Sequence, residues 1–208
     1  MTQSDNTIVL LGGGGHALSL LEAMPAAVAV KGYTAPEPSP GMPVRWLGID
    51  KDFRELYTPG EVRLLCAFVY GGRPDLELRR RIIGEYAGWH FYTLVAPTAT
   101  VTRFSRLGEG TEVMHRAVVN RATLGRHCVV NTGAVVEHDC RIADNVFIGP
   151  GAVLGGEVSV GADSFIGLGA MVRNGVSIPP GTVVGMGAVI TSDISEPGVY
   201  VGHGRRIG

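Results

Sequence analysis

From Leu124 onward a bulky aliphatic residue falls at every sixth position: Leu124, Val130, Val136, Ile142, Ile148, Leu154, Val160, Ile166, Val172, Ile178, Val184 and Ile190. No position in the run is missed. Two further columns keep the same phase. The residue after each aliphatic is mostly small, as at Gly125, Ala143, Gly149, Gly155, Gly161, Gly167 and Gly185. The fifth residue of each unit is small or β-branched, as at Cys128, Ala134, Cys140, Val146, Ala152, Val158 and Ser164. A period of six is neither the two of a strand nor the 3.6 of a helix.

Such a period belongs to a solenoid whose six-residue unit is a short strand plus a turn. The aliphatic residue points to the axis, the small fifth residue shares that interior, and the residue after the aliphatic sits near the turn. The pattern matches an all-β left-handed parallel β-helix with three units per coil. A Gly-rich antiparallel domain would not need three columns in register over so long a run. The repeat extends upstream through Val95, Val101, Leu107, Val113 and Val119. The unit that starts at Val119 is one residue short, which implies one tightened corner. The solenoid is expected over residues 94–208, with five to six coils.

The first 93 residues follow another pattern. Ile8–Leu11 is a short apolar run that leads through Gly12–Gly15 into His16 and a helix over Ala17–Met24, with Leu18, Leu21 and Glu22 spaced for one buried face. Ala27–Val30 reads as a strand that ends at Gly32-Tyr33, Val62–Tyr70 as a further strand closed by Gly71-Gly72, and Asp75–Tyr86 as a second helix. The Pro-rich stretch from Pro36 to Pro43 must be loop. Alternating strands and helices imply an α/β domain with a small Rossmann-like parallel sheet over residues 1–93. In such sheets ligands sit beyond the strand C-termini, and a Gly-rich turn that opens a helix offers N–H groups to phosphate. From residues alone the Gly12–Gly15 turn is either such a cradle or merely a tight turn. Arg79–Arg81 read as a solvated helix face.

The chain has 208 residues and a net charge of -1. No basic block or aromatic-interleaved patch suggests nucleic acid. No apolar run reaches bilayer length and no leader pattern opens the chain, so a cytoplasmic protein without a membrane span is expected. Three cysteines do not make a disulfide framework. Cys128 and Cys140 fall in the inward column on different faces and read as buried, inert thiols.

His138 is the third residue of its unit and faces out of the prism. Gly156 lies eighteen residues on, one coil up, and follows Gly155, so a strip without side chains is expected beside His138. Histidine titrates near neutrality and can accept a proton from an attacking amine or hydroxyl. Asp139 could bond its other ring nitrogen. No Ser or Cys adjoins His138 to form an acyl-enzyme, which favours direct transfer. Residues alone also allow an exposed turn histidine at 138, a turn-stabilising aspartate at 139 and a His16 that caps its helix or bonds the loop. His90, His115 and His203 read as surface or structural, as does His127. A zinc site of the γ-carbonic-anhydrase kind would need three converging histidines. His115, His127 and His138 are the candidates, but His115 and His138 fall on different faces, so no metal is expected.

Gly12–His16 before a helix, Gly71 before an Arg-rich helix, and a solenoid that contains Asn131–Cys140 with its Glu137-His138-Asp139 core together resemble one family. It is the nucleotide-sugar N-acetyltransferases of the sialic-acid O-acetyltransferase-like type, which act on UDP-4-amino sugars or GDP-perosamine. The resemblance spans essentially the whole chain. It implies a homotrimer that uses acetyl-CoA, with active sites between adjacent solenoids. It implies that His138 is the general base and Asp139 its partner. Gly14, Gly15, His16 and Gly71 would then contact a UDP-, GDP- or dTDP-linked amino sugar, and Phe147, Gly156, Leu168 and Met186 the cofactor. Tyr33–Pro36 stand where relatives usually carry acidic residues. O-acetylation of a small hydroxyl acceptor is the alternative, although such enzymes usually lack the N-terminal α/β domain.

Overall fold

The computed structural model of the chain describes residues 7–69 and 76–207. Gly71, an expected substrate contact, lies outside them. Three parallel strands, β1 (Thr7–Leu11), β2 (Ala29–Thr34) and β3 (Arg63–Cys66), form a sheet in the order β2-β1-β3. The middle strand is covered on both sides: Ile8, Val9, Leu10 and Leu11 are at most 3% exposed. That is why its sequence is a continuous apolar run rather than an alternating one.

Helix α1 (Gly15–Ala23) starts two residues earlier than its apolar pattern suggests, and its buried face is Ala17, Leu20 and Ala23. The expected face of Leu18, Leu21 and Glu22 is wrong: Leu18 is 39% exposed. Two alanines flanking one leucine let the helix backbone approach the sheet, so the small residues carry the contact. Strand β2 ends at Thr34, one residue beyond the expected end at Gly32-Tyr33, because Tyr33 and Thr34 pair with Leu10 and Leu11. Helix α2 (Asp50–Leu56) had no sequence reading; its first turn is capped by the Asp52 carboxylate, which accepts the Ile49 N–H at 3.1 Å. Helix α3 (Leu76–Gly84) completes the N-terminal part.

From Leu94 the chain winds as a left-handed parallel β-helix of two-residue strands separated by turns. All twelve residues of the aliphatic column from Leu124 to Ile190 point inward and are at most 4% exposed. A coil takes eighteen residues, as in the pairing of Val129 with Phe147 and then Phe165, and seventeen where it includes the short unit, as in the pairing of Glu112 with Val129. The short unit is a three-residue corner, Asn120–Ala122, between the strands Val118–Val119 and Thr123–Leu124. The chain ends in an antiparallel pair, Val199–Val201 with Arg205–Ile207, whose first strand extends the sheet beside Val183-Val184.

The outward residues differ by face. The first face presents Leu94, Glu112, Val129, Phe147 and Phe165, all buried beneath the N-terminal part; Val69 and Leu76 pack on the last three. The second presents Val118, Val135, Val153, Met171 and Val189, of which Val153 and Met171 are exposed. The third presents Arg106, Thr123, Arg141, Ser159 and Ser177, a polar surface. All three cysteines are free and buried, and burial pushes the Cys128 thiol up to about 11. Among the described residues no helix is long and apolar enough to cross a membrane.

His127 is tucked into the corner between the third and first faces, its ring edge-on to Phe91 at 4.6 Å. Burial first, then the charges of Arg79 and Arg126, hold it down to about 4. The folded value lies below the ordinary 6.5, so on acidification the unfolded chain takes up this proton first. Stability from this group is full above pH 6.5 and should fall as the pH drops towards 4, by about 3 kcal/mol in all. His127→Asn tolerates the positive φ of 57° at this position and should flatten the acid slope of the melting temperature. Equal slopes in the two proteins would refute the assignment.

Candidate active site

His138 stands in the corner between the second and third faces, after the strand Val135–Val136. Asp139 adopts φ 62°, which turns the chain back sharply. His138 Nδ1 and Asp139 Oδ2 are 3.0 Å apart. The carboxylate is gripped from the coil below: Arg121 donates to Oδ1 at 2.8 Å and to Oδ2 at 2.9 Å, and the Asp139 N–H donates to the Arg121 carbonyl at 3.1 Å. Arg121 first, then His138, holds the Asp139 carboxyl below the usual carboxylate range. An ionised carboxylate at Nδ1 selects the tautomer whose proton is on Nδ1 and leaves the lone pair on Nε2. The imidazole is about half exposed.

Gly156 is the floor on which that ring rests. A Cβ built there would lie 2.6 Å from both Cε1 and Nε2 of His138. The side-chain-free strip expected beside the histidine is therefore covered by the histidine itself. Glu137 accepts from the His138 N–H at 3.2 Å and from Asn120 Nδ2 at 2.9 Å. Sequence reasoning missed both Asn120 and Arg121. The signal was present in the short unit: with three residues in that corner, Asn120 lies under Glu137, Arg121 lies under Asp139, and His138 has no counterpart below.

A second concavity lies where the sheet meets the solenoid. Its volume is about 520 Å³, and its walls include Gly12–His16, Ala35, Phe68, Asn131 and Phe147. Gly13 must be glycine, since a Cβ would strike the Tyr33 ring. Gly14, at the N-cap of α1, has no side chain to cap it, and among the described residues the N–H groups of Gly15 and His16 meet no acceptor, so they face the cleft. His16 does not cap the helix; its Nε2 lies 2.8 Å from Glu112 Oε2. A neighbouring hollow of about 540 Å³ opens beyond the C-terminal ends of β1 and β2 and shares Gly12, Ala35, Pro36 and Phe68 with the first cleft. Its further walls include Ile49, Lys51 and Ile82.

Arg79 overturns the reading of a solvated basic face. It is 1% exposed and donates to the Phe68 carbonyl at 3.0 Å, the His127 carbonyl at 2.7 Å and Asn145 Oδ1 at 2.6 Å. Helix α3 thus pins the end of β3 to two solenoid corners. Long-range carbonyls make this burial affordable, and no local pattern reveals them. Arg80 and Arg81 remain exposed, with Arg80 paired to Asp163.

Leu168 and Met186 stand one coil apart in the corner between the first and second faces, 43% and 77% exposed. Phe147 is not in that column. It faces outward from the first face, stacks on Phe165 with centroids 4.8 Å apart, and lines the cleft. One chain thus brings Gly14, Gly15, His16 and Phe147 together, with Leu168 and Met186 farther up the adjoining corner. It places His138, Asp139 and Gly156 across the second face, at its other edge. His115, His127 and His138 occupy three different corners, and among the described residues no group of three or more metal-ligating side chains converges.

Models of bacterial transferase hexapeptide repeats match residues 121–156 and 139–174, and a model of the hexapeptide repeat of succinyl-transferase matches 157–192. No curated protein matches the chain by sequence. Among solved structures, the acetyltransferase domain of PglB from Neisseria gonorrhoeae is 28% identical, with a TM-score of 0.88, over 97% of this chain and 100% of that one. The same domain has been solved with acetyl coenzyme A. A His→Asn mutant of perosamine N-acetyltransferase from Caulobacter crescentus, solved with CoA and GDP-perosamine, is 32% identical over 97% of each chain, with a TM-score of 0.87. With a Gly-rich cleft at the sheet end, an outward histidine on a hexapeptide solenoid and likeness along almost its full length, the chain belongs to the hexapeptide-repeat nucleotide-sugar N-acetyltransferases.

Proposed function

We propose that this protein transfers an acetyl group from acetyl-CoA to the amine of a nucleotide-linked amino-deoxy sugar, with His138 as general base, in a homotrimer. The observation that carries the reading is the His138–Asp139–Arg121 chain, which leaves Nε2 as the basic nitrogen at an exposed corner. The neutral amine attacks the thioester carbonyl, and Nε2 takes the proton that the nitrogen sheds. The tetrahedral oxyanion is stabilised by a backbone N–H of the solenoid. Collapse breaks the carbon–sulfur bond, and the imidazolium returns its proton to the CoA thiolate, giving an amide and free CoA. Asp139 holds the tautomer and favours the imidazolium that forms, as the acid of a catalytic triad does.

Residues 1–93 hold the nucleotide sugar and residues 94–208 carry the acyl transfer. The open N–H groups of α1 beside Gly14 and Gly15 suit the diphosphate. The adjoining apolar hollow, at the position where open α/β sheets take ligands, suits the nucleobase. The pantetheine arm runs past Leu168 and Met186 of one subunit towards the exposed side of the His138 ring of the next. The relatives' ligands support this assignment: the Caulobacter enzyme binds CoA with GDP-perosamine, and the Neisseria domain binds acetyl coenzyme A.

The assembly follows from the three faces. The first is covered by the protein's own N-terminal part and the third is polar, so the apolar second face is the one that requires a partner. The nucleotide-sugar cleft lies at one edge of that face and His138 at the other. Packing copies around a threefold axis through the second face brings His138 of one subunit to the cleft corner of the next, which completes a site that a lone chain keeps apart.

His138→Ala should lower turnover by at least about a hundredfold, within the usual range for loss of a general base, and leave the melting temperature unchanged. Asp139→Asn should be milder. Near-normal turnover in the His138 variant would sink the base assignment. Gly156→Ala must push the ring off its floor and should cut kcat with the fold intact, whereas an unaffected kcat would mean that the ring's seat is immaterial. Val153→Asp combined with Met171→Asp should give monomers in sedimentation velocity and abolish acetylation; a fully active monomer would refute the shared site.

A further inference from the structure

Glu112 is out of place chemically. It stands on the outward side of the first face, in a column whose other members are Leu94, Val129, Phe147 and Phe165, and it is 0% exposed. A carboxylate taken out of water costs several kcal/mol unless partners repay it. Its two partners come from different elements. Oε2 meets His16 Nε2 at 2.8 Å, and Oε1 faces Arg79 at 3.7 Å without a hydrogen bond among the described residues. Another apolar residue would fill this column without the desolvation, so packing does not explain the glutamate.

We propose that Glu112 is a positioning residue for the nucleotide-sugar site and that it acts through His16. By occupying Nε2 it fixes the ring in the cleft and selects the tautomer with the hydrogen on Nε2. Nδ1 is then the nitrogen left for ligand, and its lone pair accepts from a hydroxyl, of the ribose or of the amino sugar. The diphosphate is left to the open N–H groups of α1. Arg79 holds the other side of the carboxylate, and it also bonds the carbonyl of Phe68 in the cleft wall. One buried carboxylate thus registers α1, α3 and the solenoid strand Glu112–Val113 against one another at the substrate. This inference rests on the cleft being the nucleotide-sugar site.

The test is a double-mutant cycle on steady-state kinetics, with UDP-, GDP- and dTDP-linked 4-amino sugars as probes. Glu112→Gln should raise KM for the nucleotide sugar about tenfold, the size of one lost polar contact, while kcat and KM for acetyl-CoA stay within about twofold. His16→Ala should do the same, and the double variant should be no worse than His16→Ala alone. Glu112→Asp keeps the charge near Arg79 but withdraws it from His16; it should reproduce the KM effect if Glu112→Gln fails to fold. Additive losses in the double variant, or an unchanged KM in a folded Glu112→Gln protein, would overturn the proposal. A His16→Ala enzyme with wild-type KM overturns it while leaving the acetyltransferase reading standing. Absence of turnover in the wild type overturns both.

Discussion

The stacking of one aliphatic side chain per unit along the prism axis is the interaction on which the rest of this molecule depends. Each coil adds three such residues to a column that excludes water, and each is worth roughly 2 kcal/mol of burial. Because the coil length is constant outside the one short unit, separation in sequence becomes vertical position: residues eighteen apart lie over one another there. The corner that carries His138 and Asp139 inherits its geometry from that rule. Arg121 reaches Asp139 and Gly156 supports His138 because of where they fall in the count. The one deletion in the repeat works within the same rule, since it shortens a corner without disturbing the strands on either side.

A triangular prism offers three outward surfaces, and the chain treats each differently. Bulky apolar residues on the first face accept the N-terminal sheet and helices, and charged or hydroxyl residues keep the third in water. Valines and a methionine on the second are too apolar to be left bare over its whole length. The division arises from the one outward residue in each two-residue strand, so a few substitutions in a column suffice to decide what a face does. The fold itself is indifferent to them, because the inward residue of each strand carries the axis.

Where the sheet meets the solenoid, polar burial replaces hydrophobic packing. Arg79 and Glu112 are both withdrawn from water, at a cost that hydrophobic isosteres would not incur. What they contribute is register: hydrogen bonds from Arg79 to Phe68, His127 and Asn145 are directional and fail if α3 shifts by even an ångström. A cleft whose walls come from two structural parts needs that definition more than it needs stability.

The residues by themselves determined the solenoid, its inward columns, the tightened corner near Val119 and the outward histidine with its neighbouring aspartate. They could do so because a period of six is local and is repeated many times, so single exceptions do not blur it. Four things were decided only by the tertiary structure. The buried face of α1 followed from alanines whose value lies in close approach rather than in hydrophobicity. The last residue of β2, Thr34, followed from pairing with Leu11 of β1. The burial of Arg79 followed from acceptors on the solenoid, the His127 carbonyl and Asn145 Oδ1, which lie 48 and 66 residues away along the chain. The seat of the His138 ring on Gly156 filled a strip that the sequence left bare. In each case the deciding contact joins elements distant in sequence, and no pattern read along the chain carries its energy.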